Sequence, residues 1–201
     1  ELRRVLAAGG DAARIVFSGV GKSEFEMQAA LALGVSCFNV ESESELEQLN
    51  RVAGGLGKKA PVSLRVNPDV DAETHPYIAT GLKQSKFGIP IERAVKVYQL
   101  ARSLAHVEII GVDCHIGSQI TNFAPFADAV QRLLVLVDEL AVTGIALRHI
   151  DVGGGLGIRY GNEDVASPGA YVAALIDLLH RDRRRAPPEV WIEPGRAIVG
   201  N

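Results

Sequence analysis

A parallel α/β barrel of the (β/α)8 type, incomplete at about six of eight strands, is the fold class this sequence predicts. Three observations lead there. Apolar, β-branched runs alternate with helical patterns of about 10–20 residues, which implies parallel strands joined by helical crossovers. Polar or glycine residues close nearly every strand: Ser18, Glu41, Asn67, His115, Gly153 and Glu193. An open doubly wound sheet gathers its ligands near one switch point, whereas a barrel spreads them around the C-terminal ends of its strands. Finally, the units are evenly spaced with no linker among them, so residues 1–201 read as one domain.

Each element follows from local chemistry. Glu1–Ala8 reads as a helix end stopped by Gly9–Gly10. Arg14–Ser18 is a strand, and Ser23-Glu24-Phe25-Glu26 is a capping box opening a helix over Glu24–Leu33, with Gly34 as its stop. Val35–Val40 is the next strand. A second capping box, Ser42-Glu43-Ser44-Glu45, opens a helix over Glu45–Ala53, and the strand Val62–Asn67 follows. A longer insertion from Pro68 to Ile89 precedes a helix over Ile91–Leu104. The strand Val107–Cys114 then leads into HIGS at His115–Ser118. Phe123–Val142 is an apolar-striped helix ending at Gly144, His149–Val152 a strand, Pro168–His180 a helix and Glu189–Glu193 the last strand.

Composition excludes several classes. A net charge of -3 provides no electrostatic footprint for nucleic acid, and the one basic cluster, Arg181–Arg185, reads as a helix-end cap on a solvated surface. No run approaches the ~20 apolar residues of a membrane span. Cys37 and Cys114, two cysteines inside apolar strands, suit neither a disulfide scaffold nor a zinc site; they read as small buried residues in a reducing cytoplasm. The chain opens on ELRRVLAAGG with no initiator methionine, which reads as the middle of a helix and hence as a fragment.

Two glycine-rich segments invite nucleotide readings, and both fail on spacing. Gly21-Lys22-Ser23 follows a strand and opens a helix, but a P-loop needs glycine where Val16 stands. Gly153-Gly154-Gly155-Leu156-Gly157 lacks the last glycine of a dinucleotide fingerprint, because Ile158 occupies that place. A triple glycine after a strand still lets backbone approach a ligand closely and aim its N–H groups at an anion. His115 and Ser118, three residues apart at a strand end, can face one pocket. Glu193 and Arg196 flank the turn Pro194-Gly195, where they can pair with each other or bind a ligand. A histidine, a hydroxyl, bare glycine backbone, a carboxylate and a guanidinium on one face suit an anionic aromatic cofactor.

HIGSQI, DVGGGLGI and EPGR, in this order and at this spacing, resemble the barrel domain of fold-type III pyridoxal-phosphate enzymes, the ornithine, arginine and diaminopimelate decarboxylases. Within that group Arg65–Ile89, HIGSQI and FNVESESEL at Phe38–Leu46 are most similar to the diaminopimelate decarboxylase branch. The resemblance runs through essentially all 201 residues. It implies that His115 stacks on the cofactor ring. Ser118 and the Gly153, Gly154 and Gly155 backbone would hold its phosphate, with Pro194, Gly195 and Arg196 beside it. Glu193 would meet the pyridine nitrogen, and Arg196 would also meet a substrate carboxylate. Alanine racemases place an arginine against that nitrogen, so a glutamate implies decarboxylation. Lys86 matches a family position near the pocket.

The resemblance also implies omissions. The family's Schiff-base lysine lies on the first barrel strand in a segment like YAVKAN, which this sequence lacks, and Lys22 matches a different position. The C-terminal β-domain and its catalytic cysteine are absent, and Cys114 is not that cysteine. The full-length parent is expected to be a cytoplasmic, homodimeric carboxy-lyase converting meso-2,6-diaminopimelate to L-lysine and carbon dioxide, the last step of lysine biosynthesis. Its substrate would be a small amino acid, with no nucleic-acid or membrane partner and no metal. An ornithine/arginine-type or carboxynorspermidine decarboxylase, or a non-catalytic cofactor-binding homologue, is the alternative.

Overall fold

A computed structural model describes residues 1–71, 87–162, 164–181 and 189–200. The short helix α1 (Leu2–Ala7) precedes β1 (Val16–Phe17), α2 (Glu24–Leu33), β2 (Cys37–Val40), α3 (Glu43–Gly55) and β3 (Ala60–Asn67). Then come β4 (Ile89–Pro90), α4 (Ile91–Ser103), β5 (Val107–Asp113), α5 (Ala124–Val142) and β6 (His149–Asp151). The last elements are α6 (Pro168–Arg181), β7 (Glu189–Trp191) and α7 (Gly195–Val199). The strands pair in parallel in the order β1-β2-β3-β5-β6-β7, and β4 adds to the end of β3.

This is a parallel half-barrel of six strands. Although β1 and β7 are the two edges of that path, the Ser18 hydroxyl just after β1 lies 3.3 Å from a Glu193 carboxylate oxygen just after β7. The sheet therefore curls until its two edges meet across the interior at their C-terminal ends. In the register of the central strands Asp113 pairs with Asp151, so two carboxylates end neighbouring strands side by side.

Helices cover the outer face through apolar stripes. On α5 the buried residues Phe126, Ala129, Val130, Leu133, Leu136 and Leu140 recur at three- and four-residue intervals and so lie on one face. Tyr98 of α4 is fully buried and donates its hydroxyl to the Gly111 carbonyl of β5 at 2.8 Å, which pins helix to strand. Gly111 leaves room for the buried His149 ring, since a Cβ there would lie 2.1 Å from Nε2. That ring stacks on Trp191 at 3.6 Å and meets Ser63 Oγ at 2.7 Å, so His149 is a satisfied core histidine.

Most expected elements are present, with instructive differences. The α2 capping box is complete: Ser23 Oγ accepts from Glu26 N–H while the Glu26 carboxylate accepts from Ser23 N–H, and Gly34 at φ +77° ends the helix. The second box is only half formed. Ser42 caps α3, which therefore begins at Glu43 rather than Glu45, but the Glu45 carboxylate bonds the N–H of Glu41 and the ammonium of Lys22 instead of closing the box. A buried ammonium needs an anion more than a helix start needs its second cap. The strand β4 and helix α7 were not expected from the sequence. Two residues hydrogen-bonded to β3 and a five-residue helix that begins within EPGR at Gly195 are too short to show periodicity. Lys86, the middle of the insertion and the basic residues after Arg181 lie outside the described residues.

Lys22 is fully committed to the scaffold. Its Nζ donates to the carbonyls of Gly19 and Asn39 and to Glu45 Oε1, each at 2.7 Å. Its side chain is 1% exposed. Lys22→Met is expected to destabilise the domain by about 3 kcal/mol, because it leaves a buried carboxylate uncompensated. The urea midpoint should fall accordingly, and the Lys22→Met/Glu45→Gln double variant should recover much of the loss. A single variant as stable as the parent would show that the pair contributes nothing.

Candidate active site

The loops after β5, β6 and β7 interlock, and the triple glycine is the reason they can. A Cβ on Gly153 (φ +70°) would lie 2.2 Å from the Cys114 carbonyl oxygen, and one on Gly154 would lie 2.2 Å from the Glu193 carbonyl oxygen. A Cβ on Gly155 (φ +101°) would lie 2.3 Å from the Gly117 carbonyl oxygen. Each glycine is packed under a neighbouring strand-end backbone, so HIGS, GGG and EPGR form one continuous floor. Backbone bonds fasten it: Glu193 N–H donates to Gly153, and Ile120 N–H to Gly155, both at 2.8 Å.

The three glycine N–H groups are not equivalent. Gly153 N–H donates to Asp151 Oδ1 at 2.9 Å, and Gly154 N–H approaches His115 Nδ1 at 3.3 Å. Gly155 N–H has no protein acceptor among the described residues. Next to it, Arg196 Nη2 donates to Ser118 Oγ at 3.0 Å and Nη1 to the Tyr160 hydroxyl at 2.5 Å. Arg196 Nε is buried with no partner among the described residues. A backbone N–H without a protein acceptor, a serine hydroxyl and a guanidinium with a spare buried donor are a donor set that suits an anion.

His115 is half-buried. Burial, and then the charge of Arg65, push its pKa down to about 4. The ring is neutral at pH 7, and the approach of Gly154 N–H to Nδ1 assigns the ring proton to Nε2. Arg65 is itself held by Glu41 at 2.7 Å, and its guanidinium lies over the Phe87 ring.

Opposite the anion pocket stands a group of acids. One carboxylate oxygen from each of Asp113, Asp151 and Glu193 lies within 4.8 Å of the others. Burial first, then Asp151 and Glu193, push the Asp113 carboxyl well above the usual range, and its Oδ1 has no partner among the described residues. Burial and then Glu193 raise Asp151 to about 7, against the lowering effect of Gly153 N–H and Asn39. Such a group favours a cation, and a protonated aromatic nitrogen at Glu193 would supply one. Glu193 also borders an open groove of about 670 Å³ that passes Ser18, Phe17 and Phe25.

Of the residues expected from the sequence, His115, Ser118, Gly153–Gly155, Glu193, Pro194, Gly195 and Arg196 all fall in this one region. Glu193 and Arg196 do not pair among the described residues: the carboxylate turns to Ser18 and the guanidinium to Ser118 and Tyr160. Sequence patterns alone do not point to Asp113, Asp151, Asn39 or Tyr160, which the fold brings to this region. The one partial signal is that each aspartate ends an apolar run, in VDC and HID. Both cysteines are free and buried, and burial raises both thiols, Cys37 to about 12, so neither is a nucleophile here.

Comparison with known proteins agrees with the geometry. Residues 1–200 match the family model described as pyridoxal-dependent decarboxylase, pyridoxal binding domain. The chain is 60% identical over 201 residues to a diaminopimelate decarboxylase of Vibrio cholerae and 61% identical over 202 residues to one of Pseudomonas aeruginosa. All of this chain is covered in both cases, but only 48% of each relative. It superposes on the crystal structure of diaminopimelate decarboxylase from Helicobacter pylori complexed with L-lysine with a TM-score of 0.92 at 42% identity. That match covers 98% of this chain and 49% of that one. The chain thus spans about half the length of the relatives it matches, and it belongs to the pyridoxal-binding domain family of the pyridoxal-dependent decarboxylases.

Proposed function

We propose that this domain is the cofactor-holding half of a diaminopimelate decarboxylase, which removes carbon dioxide from meso-2,6-diaminopimelate to leave L-lysine. The identity of 60% along the whole chain to the Vibrio cholerae enzyme carries the choice of substrate. The parent is proposed to be a cytoplasmic homodimer, with its covalent lysine and its catalytic cysteine supplied by sequence outside this stretch.

The residues suit pyridoxal phosphate by chemistry. Ser118 Oγ, Gly155 N–H and Arg196 would take the phosphate, which supplies the acceptor that the buried Nε lacks. Gly153, Gly154, Pro194 and Gly195 would shape the floor around it. His115, neutral at pH 7, would lie against the ring without adding a positive charge near the cationic nitrogen. Glu193 would accept from the ring N–H, with the Asp113 and Asp151 carboxyls within 4.8 Å of it. The cofactor, when bound, supplies an electron sink for the pair left on the α-carbon as carbon dioxide departs. Arg196 would also orient a substrate carboxylate.

Carbon dioxide release by the full-length enzyme tests this reading. Turnover of meso-diaminopimelate should exceed that of ornithine, arginine or carboxynorspermidine by orders of magnitude. A preference for any of those would overturn the substrate, and no turnover of any, with cofactor bound, would favour a non-catalytic homologue.

A further inference from the structure

Glu193 stands beside two buried acids, is partly open to a groove, and yet points inward. Carboxylate oxygens of Asp113 and Asp151 lie within 4.8 Å of one of its own, and water at the groove would solvate an ionised carboxylate better than this acidic company does, which favours turning outward. The described contact that opposes this is the Ser18 hydroxyl on the other edge of the curled sheet, 3.3 Å from Oε1. The hydroxyl is in turn oriented. Asn39, fully buried on β2, donates from Nδ2 to Ser18 Oγ at 2.9 Å, and its Oδ1 faces the Cys37 thiol at 3.7 Å. With its oxygen accepting from Asn39, the serine has its single proton left for Glu193.

We infer that Ser18, oriented by Asn39, is a positioning residue that holds the Glu193 carboxylate against its acidic neighbours in the place where it meets the cofactor ring nitrogen. Neither residue touches the reacting atoms. This inference rests on the reading of Glu193 given above and adds two residues from the first two strands. These strands lie far in sequence from EPGR. Only the curl of the sheet brings them together.

The test uses full-length holoenzyme loaded with cofactor labelled with nitrogen-15 at the ring, and follows the ring nitrogen resonance against pH alongside kcat, KM and melting temperature. Ser18→Ala is at an exposed position and should fold normally. It should shift the ring nitrogen toward the unprotonated form and lower kcat by about three- to tenfold at unchanged KM, the effect of one ordinary hydrogen bond. Ser18→Thr keeps the hydroxyl and should restore both values. Glu193→Gln separates the two readings. If it moves the nitrogen resonance and Ser18→Ala does not, the positioning role is overturned while the Glu193 pairing stands. If Glu193→Gln leaves the resonance in place, the pairing itself fails. A Ser18→Ala enzyme that loses melting temperature and activity with an unchanged resonance would assign Ser18 to the scaffold alone.

Discussion

Glu193→Gln in the full-length enzyme is expected to lower kcat by about 10- to 1000-fold while the cofactor stays bound. The substitution keeps the size of the side chain and leaves an amide oxygen to accept from Ser18, so the floor of the site should persist. What disappears is the charge. A carboxylate within hydrogen-bond reach raises the pKa of a cationic partner by about 1–3 units, and each unit is a tenfold change in the protonated fraction. The phosphate contacts proposed for Ser118, Gly155 and Arg196 do not pass through Glu193, so cofactor affinity measured by fluorescence titration should change far less than turnover. Glu193 is also the charge that, after burial, most raises Asp151, and its neutralisation should let that carboxyl ionise at lower pH. A variant turning over within threefold of the parent would mean that the ring nitrogen does not depend on this carboxylate.

Gly153→Ala should cost the domain about 3 kcal/mol. Two penalties combine. The φ of +70° belongs to the left-handed region, which costs a residue bearing a Cβ about 1–2 kcal/mol. The added carbon would also sit 2.2 Å from the Cys114 carbonyl oxygen and 3.2 Å from the His115 Cα, and relieving such overlap typically costs about 1–3 kcal/mol. Those neighbours are backbone, so no side chain can swing aside. Gly169 is the control: it lies in the first turn of α6 with open space around it, and Gly169→Ala should leave stability unchanged or slightly improve it. Equilibrium urea unfolding of both variants decides the matter. Equal midpoints would mean that the loops after β5 and β6 can part without loss.

The order and spacing of local elements were legible because their signals are local. The box at Ser23 and Glu26, the stop at Gly34 and the apolar stripe of α5 each involve residues within a few turns of one another. The second box at Ser42 shows where such reading ends. Its glutamate is claimed by Lys22, 23 residues away, and a buried charge outweighs a helix cap. The site divides in the same way. His115, Ser118, Glu193 and Arg196 announce themselves by residue type at strand ends. Asp113 and Asp151 close apolar strands equally clearly, but their importance comes from being register partners on adjacent strands.

The sequence by itself determined the alternation of strand and helix, the polar ends of the strands and the family to which HIGS, GGG and EPGR belong. Only the tertiary structure decided that the three glycines lie under neighbouring carbonyl oxygens and that Gly155 N–H has no protein acceptor among the described residues. It also decided that Glu193 and Arg196 turn apart, one to Ser18 and the other to Ser118. The physical reason is the curl of the sheet. Chain separation conceals which strand ends meet, and a parallel sheet bent until its first and last strands touch joins residue 18 to residue 193 through one hydrogen bond.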